Sequence, residues 1–186
     1  MAACMHWTLG VIAMSSLVVS GLVGSAQSQS TPAAKATLKN LKGEAVGQVT
    51  LQQMPQGVML KAELTNLPPG WHGFHIHETA SCEPPFESAG GHFNPGKAKH
   101  GYGEGGPHPG DLLNIHVASD GKASAEMFNA KIMLRSTGAP PDGIKAYNLL
   151  GGKGTAIVIH ADPDDYKSDP AGHAGHRIAC GVIQAD

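Results

Sequence analysis

The chain has 186 residues, room for one domain and a short leader. Its 13 Lys and Arg against 15 Asp and Glu leave a formal net charge of −2, which argues against a nucleic-acid footprint. Aromatic residues are only 5% of the chain, whereas 25 Gly, 13 Pro and 11 His among short apolar runs speak against a helical bundle and for a loop-rich β protein stabilised in part by metals or a disulfide.

In chain order, Thr8 to Gly24 is an apolar stretch without charge, and Gly24-Ser25-Ala26 offers a signal-peptidase site. Residues 1–26 are therefore predicted to be a signal peptide, although no Lys or Arg precedes the apolar run, only His6 and the α-amino group. The run is short for a membrane span of ~20 residues, which leaves an uncleaved anchor as the competing reading. Cys4 would leave with the leader, and Cys82 and Cys180 would remain. An even pair in an exported protein reads as a disulfide, with two buried thiols as the alternative.

Residues 27–33 are small and polar and are predicted to be a flexible lead-in to a domain spanning 34–186. Val58, Leu60, Ala62 and Leu64 alternate with Met59, Lys61 and Glu63, the pattern of a half-buried strand. Turn chemistry at Asn66-Leu67-Pro68-Pro69-Gly70 precedes a second predicted strand, Trp71 to His77. From Glu78 to Gly110 the periodicity collapses, and a loop of that length in a compact domain needs something to order it. Strands are predicted again at Asp111–Ala118, around Ser124–Phe128, at Gly154–His160 and at Ile178–Ile183, with a second irregular loop over Ala161–Arg177. Seven or eight short strands with two long loops make the expected fold an all-β sandwich or barrel, without internal repeats.

The chemistry concentrates in His75, His77, His92, His100, His108, Asp111 and His160. Residues two apart on a strand share a face, so His75 and His77 can grip one ion together. Neutral imidazole suits copper and zinc alike, and a carboxylate serves as a fourth zinc ligand. His-x-His alone is a weak signal. It also opens metal sites in hydrolase barrels of ~250 residues, for which this domain is too short. In cupin-type jelly rolls the acidic ligand lies a few residues further on, whereas Glu78 follows His77 directly.

The segments GFHIHE (73–78), GGHFNP (90–95), KHG (99–101), PHPGDL (107–112), GTAIVIH (154–160) and RIACGVI (177–183) resemble, in content, order and spacing, the copper/zinc superoxide dismutases, most closely their exported bacterial branch. The resemblance covers essentially the whole mature chain. It implies a Greek-key β-sandwich, or flattened eight-stranded barrel, whose two long loops carry the metal site. It further implies a copper held by His75, His77, His92 and His160, and a zinc held by His92, His100, His108 and Asp111, with His92 shared. Arg177 matches the active-site arginine, Asp164 a carboxylate linking ligands of the two metals, and Cys82 with Cys180 the disulfide that pins the ligand loop to the last strand. The implied activity is disproportionation of superoxide to dioxygen and hydrogen peroxide, with copper cycling between two oxidation states and His92 serving as ligand and acid. The implied location is the periplasm, with secretion or a membrane tether as alternatives and a homodimer left open, Trp71 being readable as core or interface.

Several residues carry plainer readings. His72 would face away from the ligands and hydrogen-bond structurally, and His116 is structural or solvent-facing. His173 and His176, in AGHAGHRIACG, depart from the family, which more often has Asn at the first; they read as solvated loop residues or, more sharply, as charge added near the copper mouth at low pH. Lys97, Lys99, Lys153 and Lys167 are solvating charges by default and candidates for steering the anion. A copper-buffering module and a zinc-only hydrolase are the alternatives from other classes, and the complete ligand set with Arg177 argues against both.

Overall fold

The computed structural model describes Met1, residues 33–135 and residues 146–186. Apart from Met1, the predicted signal peptide, including Cys4 and His6, lies outside the described residues, as do residues 27–32.

Three long strands open the domain as a meander: β1 (Ala33–Asn40), β2 (Ala45–Met54) and β3 (Gly57–Leu64), paired antiparallel in order. Their alternation does what the sequence pattern demands. Ala34, Ala36 and Leu38 are buried while Lys35, Thr37 and Lys39 face solvent, and on β3 Val58, Leu60, Ala62 and Leu64 turn inward, as predicted.

The strand predicted over Trp71–His77 is cut in two. β4 (Gly70–His72) and β5 (Phe74–His77) flank Gly73, where an added Cβ would stand 2.8 Å from the Cβ of Ala174. The glycine lets the chain pass close under the second loop and change sheets. β4 pairs with β6 (Ile115–Val117), so the strand predicted over Asp111–Ala118 shortens to its second half. Asp111 bridges to His75 instead. β7 (Ala123–Asn129), β8 (Ile132–Met133), β9 (Tyr147–Asn148), β10 (Ala156–His160), β11 (Arg177–Val182) and β12 (Gln184–Ala185) complete the strands.

The main sheet has eight strands, ordered β5-β10-β11-β1-β2-β3-β7 with β12 also on β1. The return of β10 and β11 to the far side of β1 gives the Greek-key order. Two ribbons, β4-β6 and β8-β9, add Ile115, Val117 and Ile132 to the core formed by Leu38, Val49, Leu60, Phe74, Ile157 and Ala179. The described residues contain no α-helix, one 3₁₀ turn at Glu87–Ala89, and no helix long and apolar enough to cross a membrane. Trp71 is 57% exposed and packs its ring on that of His116.

β10 is buried along its whole length, on both faces. Ile157 and Ile159 belong to the main core, while Ala156 and Val158 join Phe86, Ala89 and Cys180 in a second cluster outside the sheet. That cluster seats the irregular loop on the sheet. Fully burying Phe86 contributes about 1.5–3 kcal/mol, and the disulfide Cys82–Cys180 closes a sequence separation of 98, worth about 4–5 kcal/mol in the chain-entropy model. The covalent tie is the larger restraint on the loop. Replacing both cysteines by serine is therefore expected to lower unfolding stability by about 3–5 kcal/mol, read as a shift of the urea midpoint of the metal-stripped protein.

Candidate metal centre

Phe74 and Ile76 point into the main core, so His75 and His77 point out of it together. His160, the last residue of β10, lies on the same outer side as Ala156 and Val158. The loop then claims the free edge of β5: Ile76 N–H donates to Gly110 O (2.9 Å), Phe93 N–H to Ile76 O (2.8 Å) and Glu78 N–H to Gly91 O (3.0 Å). This edge pairing sets His92 opposite His77 and Asp111 opposite His75. The long loop is ordered by lying against a strand, and the order delivers His92 and Asp111 to the His75 and His77 side chains.

Two groups of four result, His75/His77/His92/His160 and His92/His100/His108/Asp111, sharing His92. In each, one donor atom per residue lies within 4.8 Å of the others, and all seven side chains are buried. Hydrogen bonds at the far ring nitrogens decide which atom of each imidazole faces inward. His75 Nε2–H donates to Asp164 Oδ2 (2.8 Å), His77 Nδ1–H to Gly90 O (2.9 Å) and His160 Nδ1–H to Gly175 O (3.2 Å). Neutral rings so engaged turn lone pairs toward one another, and the Nε2 atoms of His77 and His160 are 3.4 Å apart. His75 Nδ1 and His92 Nε2 are buried with no hydrogen-bond partner. Four nitrogen lone pairs converging in a buried space fit a cation that accepts imidazole.

The second group converges on one oxygen. Asp111 Oδ1 lies 2.9 Å from His92 Nδ1, 3.2 Å from His100 Nδ1 and 3.1 Å from His108 Nδ1. His100 commits its proton elsewhere, donating Nε2–H to Asp164 Oδ1 (2.9 Å), so its Nδ1 has none to give Asp111. A lone pair facing a carboxylate at that range calls for a cation between them. A tetrahedron with ligand bonds of ~2.0–2.1 Å has edges of ~3.3 Å, close to these spacings.

Burial governs the electrostatics. It holds His77 well below its usual range, with the neighbouring His92 adding to the effect, and lowers His92 to about 4 and His160 to about 3. Burial alone would raise the Asp111 and Asp164 carboxyls. Hydrogen bonds from His108 and His92 to the first, and from His75 and His100 to the second, hold both below their ordinary value. At neutral pH His77, His92 and His160 are thereby neutral and Asp111 and Asp164 charged, the forms that bind metals.

Arg177 reaches this site because β11 carries a bulge. The register runs Val158↔Cys180, Ile159↔Ala179, then His160↔Arg177, skipping Ile178. The extra residue lets Ile178 and Ala179 both pack on the main core and flips Arg177 onto the face of His160. The guanidinium is then clamped, Nη1 donating to Phe86 O (2.6 Å) and Nη2 to Gly90 O (2.8 Å). Gly90 O thus accepts from both Arg177 and His77.

The remaining described histidines lie outside both groups. His72 is buried between the carbonyls of His160 and Pro68, each 2.8 Å from a ring nitrogen. His116, His173 and His176 are exposed, as are Lys97, Lys99, Lys153 and Lys167. His173 adopts a left-handed backbone (φ 52°) with Nδ1 3.2 Å from Asp165 Oδ2. Left-handed φ favours Asn among side-chain residues, which gives a physical reason for the Asn expected there. The sequence pattern gave no sign of the clamping carbonyls of Phe86 and Gly90, the bulge, Glu87 beside Arg177, or Asn114, whose side chain holds the backbone of Asp164 at both N–H and C=O (2.9 Å each). Backbone acceptors leave no mark in side-chain identity.

Comparison with known proteins places the chain. The family model described as "Copper/zinc superoxide dismutase (SODC)" matches residues 45–183. The chain is 48% identical over 152 residues to "Superoxide dismutase [Cu-Zn] 1" of Aquifex aeolicus, covering 80% of this chain and 86% of that protein. It is 43% identical over 154 residues to the "Superoxide dismutase [Cu-Zn]" of Caulobacter vibrioides, covering 81% and 85%. Among solved structures, a SOD-like protein from Bacillus subtilis superposes with a TM-score of 0.71 at 38% identity, covering 80% of this chain and 96% of that one. The Cu/Zn superoxide dismutase of Brucella abortus gives 0.62 at 30% identity, covering 82% and 99%. With this match over most of its length, on a Greek-key fold bearing two histidine clusters, the chain belongs to the copper/zinc superoxide dismutase family.

Proposed function

We propose that this protein disproportionates superoxide to dioxygen and hydrogen peroxide, with copper held by His75, His77, His92 and His160 and zinc by His92, His100, His108 and Asp111. The observation that carries the reading is the shared residue: His92 offers Nδ1 to the carboxylate-containing group and an unpartnered Nε2 to the all-histidine group. A His₃Asp set suits a closed, redox-inert zinc site, and an all-imidazole set tolerates both oxidation states of copper. Bound copper would supply the one-electron exchange, oxidising one superoxide and reducing the next with uptake of two protons.

The chain's own residues orient and protonate. The Arg177 guanidinium retains N–H groups beyond the two engaged by Phe86 O and Gly90 O, so it can hold a small anion by charge-assisted hydrogen bonds. His92 Nε2 is a buried atom able to carry a proton for the departing peroxide while Nδ1 stays on the Asp111 side. Asp164, bonded to His75 and His100, fixes the tautomer of one ligand in each group. Lys97, Lys99, Lys153 and Lys167, all exposed, would add a local positive field on a chain of net charge −2. The disulfide and the bacterial relatives support an exported protein, and the reading extends to residence in the periplasm after removal of a leader.

Three outcomes test this reading. The purified protein is expected to hold about one copper and one zinc per chain, to lose superoxide removal on chelation and to regain it with copper; full loading without turnover would instead make it a copper-binding module. Arg177→Ala is expected to keep both metals and lose at least about tenfold in rate constant by pulse radiolysis. The third is acid sensitivity of the metal-stripped chain. His92 and His160 have folded pKa values of about 4 and about 3, below the ordinary 6.5, so the unfolded chain binds protons first. Stability is therefore full above the unfolded value and is lost as pH falls toward the folded one. A decline on the order of 2 kcal/mol for each histidine is expected between about pH 7 and pH 4.5, read by urea unfolding.

A further inference from the structure

Besides the two carbonyls, Arg177 has a neighbour of opposite charge. Glu87 lies in the 3₁₀ turn between Phe86 and Gly90, the two residues whose carbonyls clamp the guanidinium, and its Oε2 is 3.4 Å from Arg177 Nη2. The pair is lopsided: the arginine side chain is 14% exposed and the glutamate 74%. The carboxylate is therefore the solvent-facing partner of a largely buried guanidinium. Among the described residues Glu87 has no other side-chain partner, so nothing else ties it there. One short turn both aims Arg177 and sets a negative charge beside it.

We propose that Glu87 is a specificity-determining residue for the anion site, selecting by charge. It competes with an incoming anion for Arg177 and repels it in proportion to the anion's charge, so a dianion such as phosphate meets twice the repulsion of a monoanion such as superoxide. An exposed pair of this kind is weak, and weakness is what lets it discriminate without blocking. A monoanion displaces or tolerates it at a cost of about threefold in affinity, whereas the same interaction costs a dianion about tenfold. The inference rests on the reading of Arg177 as the anion-holding residue. It assigns Glu87 no role in electron or proton transfer.

The test reads the arginine itself. Arg135 and Arg177 are the chain's two arginines, so phenylglyoxal modification mapped by peptide follows Arg177 with Arg135 as internal reference. Protection of Arg177 is titrated with azide and with inorganic phosphate at about pH 8, where phosphate is chiefly a dianion. The copper- and zinc-loaded wild type is compared with Glu87→Gln, Glu87→Asp and Glu104→Gln, the last making the same change of net charge elsewhere on the loop. In Glu87→Gln the phosphate protection constant is expected to tighten about tenfold and the azide constant about threefold. Glu87→Asp, which keeps the charge, and Glu104→Gln are expected to stay within about twofold of wild type for both anions. Constants unchanged in Glu87→Gln, or equal gains for the two anions, would overturn the proposal. Because the readout is arginine chemistry, failure of the enzyme reading appears separately, as protein without copper or without superoxide removal.

Discussion

Asp164 accepts a hydrogen bond from His75 through one oxygen and from His100 through the other, and those imidazoles belong to different metal groups. By taking the Nε2 proton of each, it obliges both rings to present Nδ1 lone pairs to the interior. Its own place is held by Asn114, through two hydrogen bonds to the Asp164 backbone, and by Tyr166 N–H on Oδ1. A single buried carboxylate thereby sets the ring orientation of two of the site's six histidines, one in each group. Without it, His75 and His100 would be free to present N–H where a metal needs a lone pair.

The sheet supplies rigidity that the loops lack. β5 stands at the edge of the main sheet, and its free edge is covered by the loop carrying His92 and Asp111. Edge strands are usually a liability, open to pairing with other chains. Here the exposed ladder positions are satisfied internally by the segment that must be placed most accurately. The second apolar cluster, built on the outer face of β10 and β11 with Phe86 and Cys180, then presses the same loop down. Packing, edge hydrogen bonds and the disulfide act on one segment from three sides.

Much of this was legible in the sequence, for identifiable reasons. The alternation of Val58 to Leu64 and the spacing of His75 and His77 are period-two signals that a half-buried strand imposes directly. The apolar run before His160 marked a strand, and that both of its faces are covered emerges only in the structure. What stayed hidden were events at the level of the backbone. Gly73 breaks one apparent strand into two that serve different sheets, although the pattern of side chains runs straight through it. The skipped residue at Ile178 inverts the facing of Arg177, and strict alternation from Cys180 would have turned the arginine toward the core. A motif can point to a residue while the means by which the backbone brings it beside His160 remains unreadable.

The carbonyl of Gly90 receives N–H groups from His77 and from Arg177 at once. That oxygen is a surveyor's mark for two positions at once: where the His77 imidazole stands and where the Arg177 guanidinium stands. Had a side chain done this, substitution, rotamer change or titration could separate the two. A peptide oxygen has no rotamer, no pKa in the working range and no codon of its own. The separation of the two groups is in that sense set by the course of the backbone at Gly90, and by no side chain at that position.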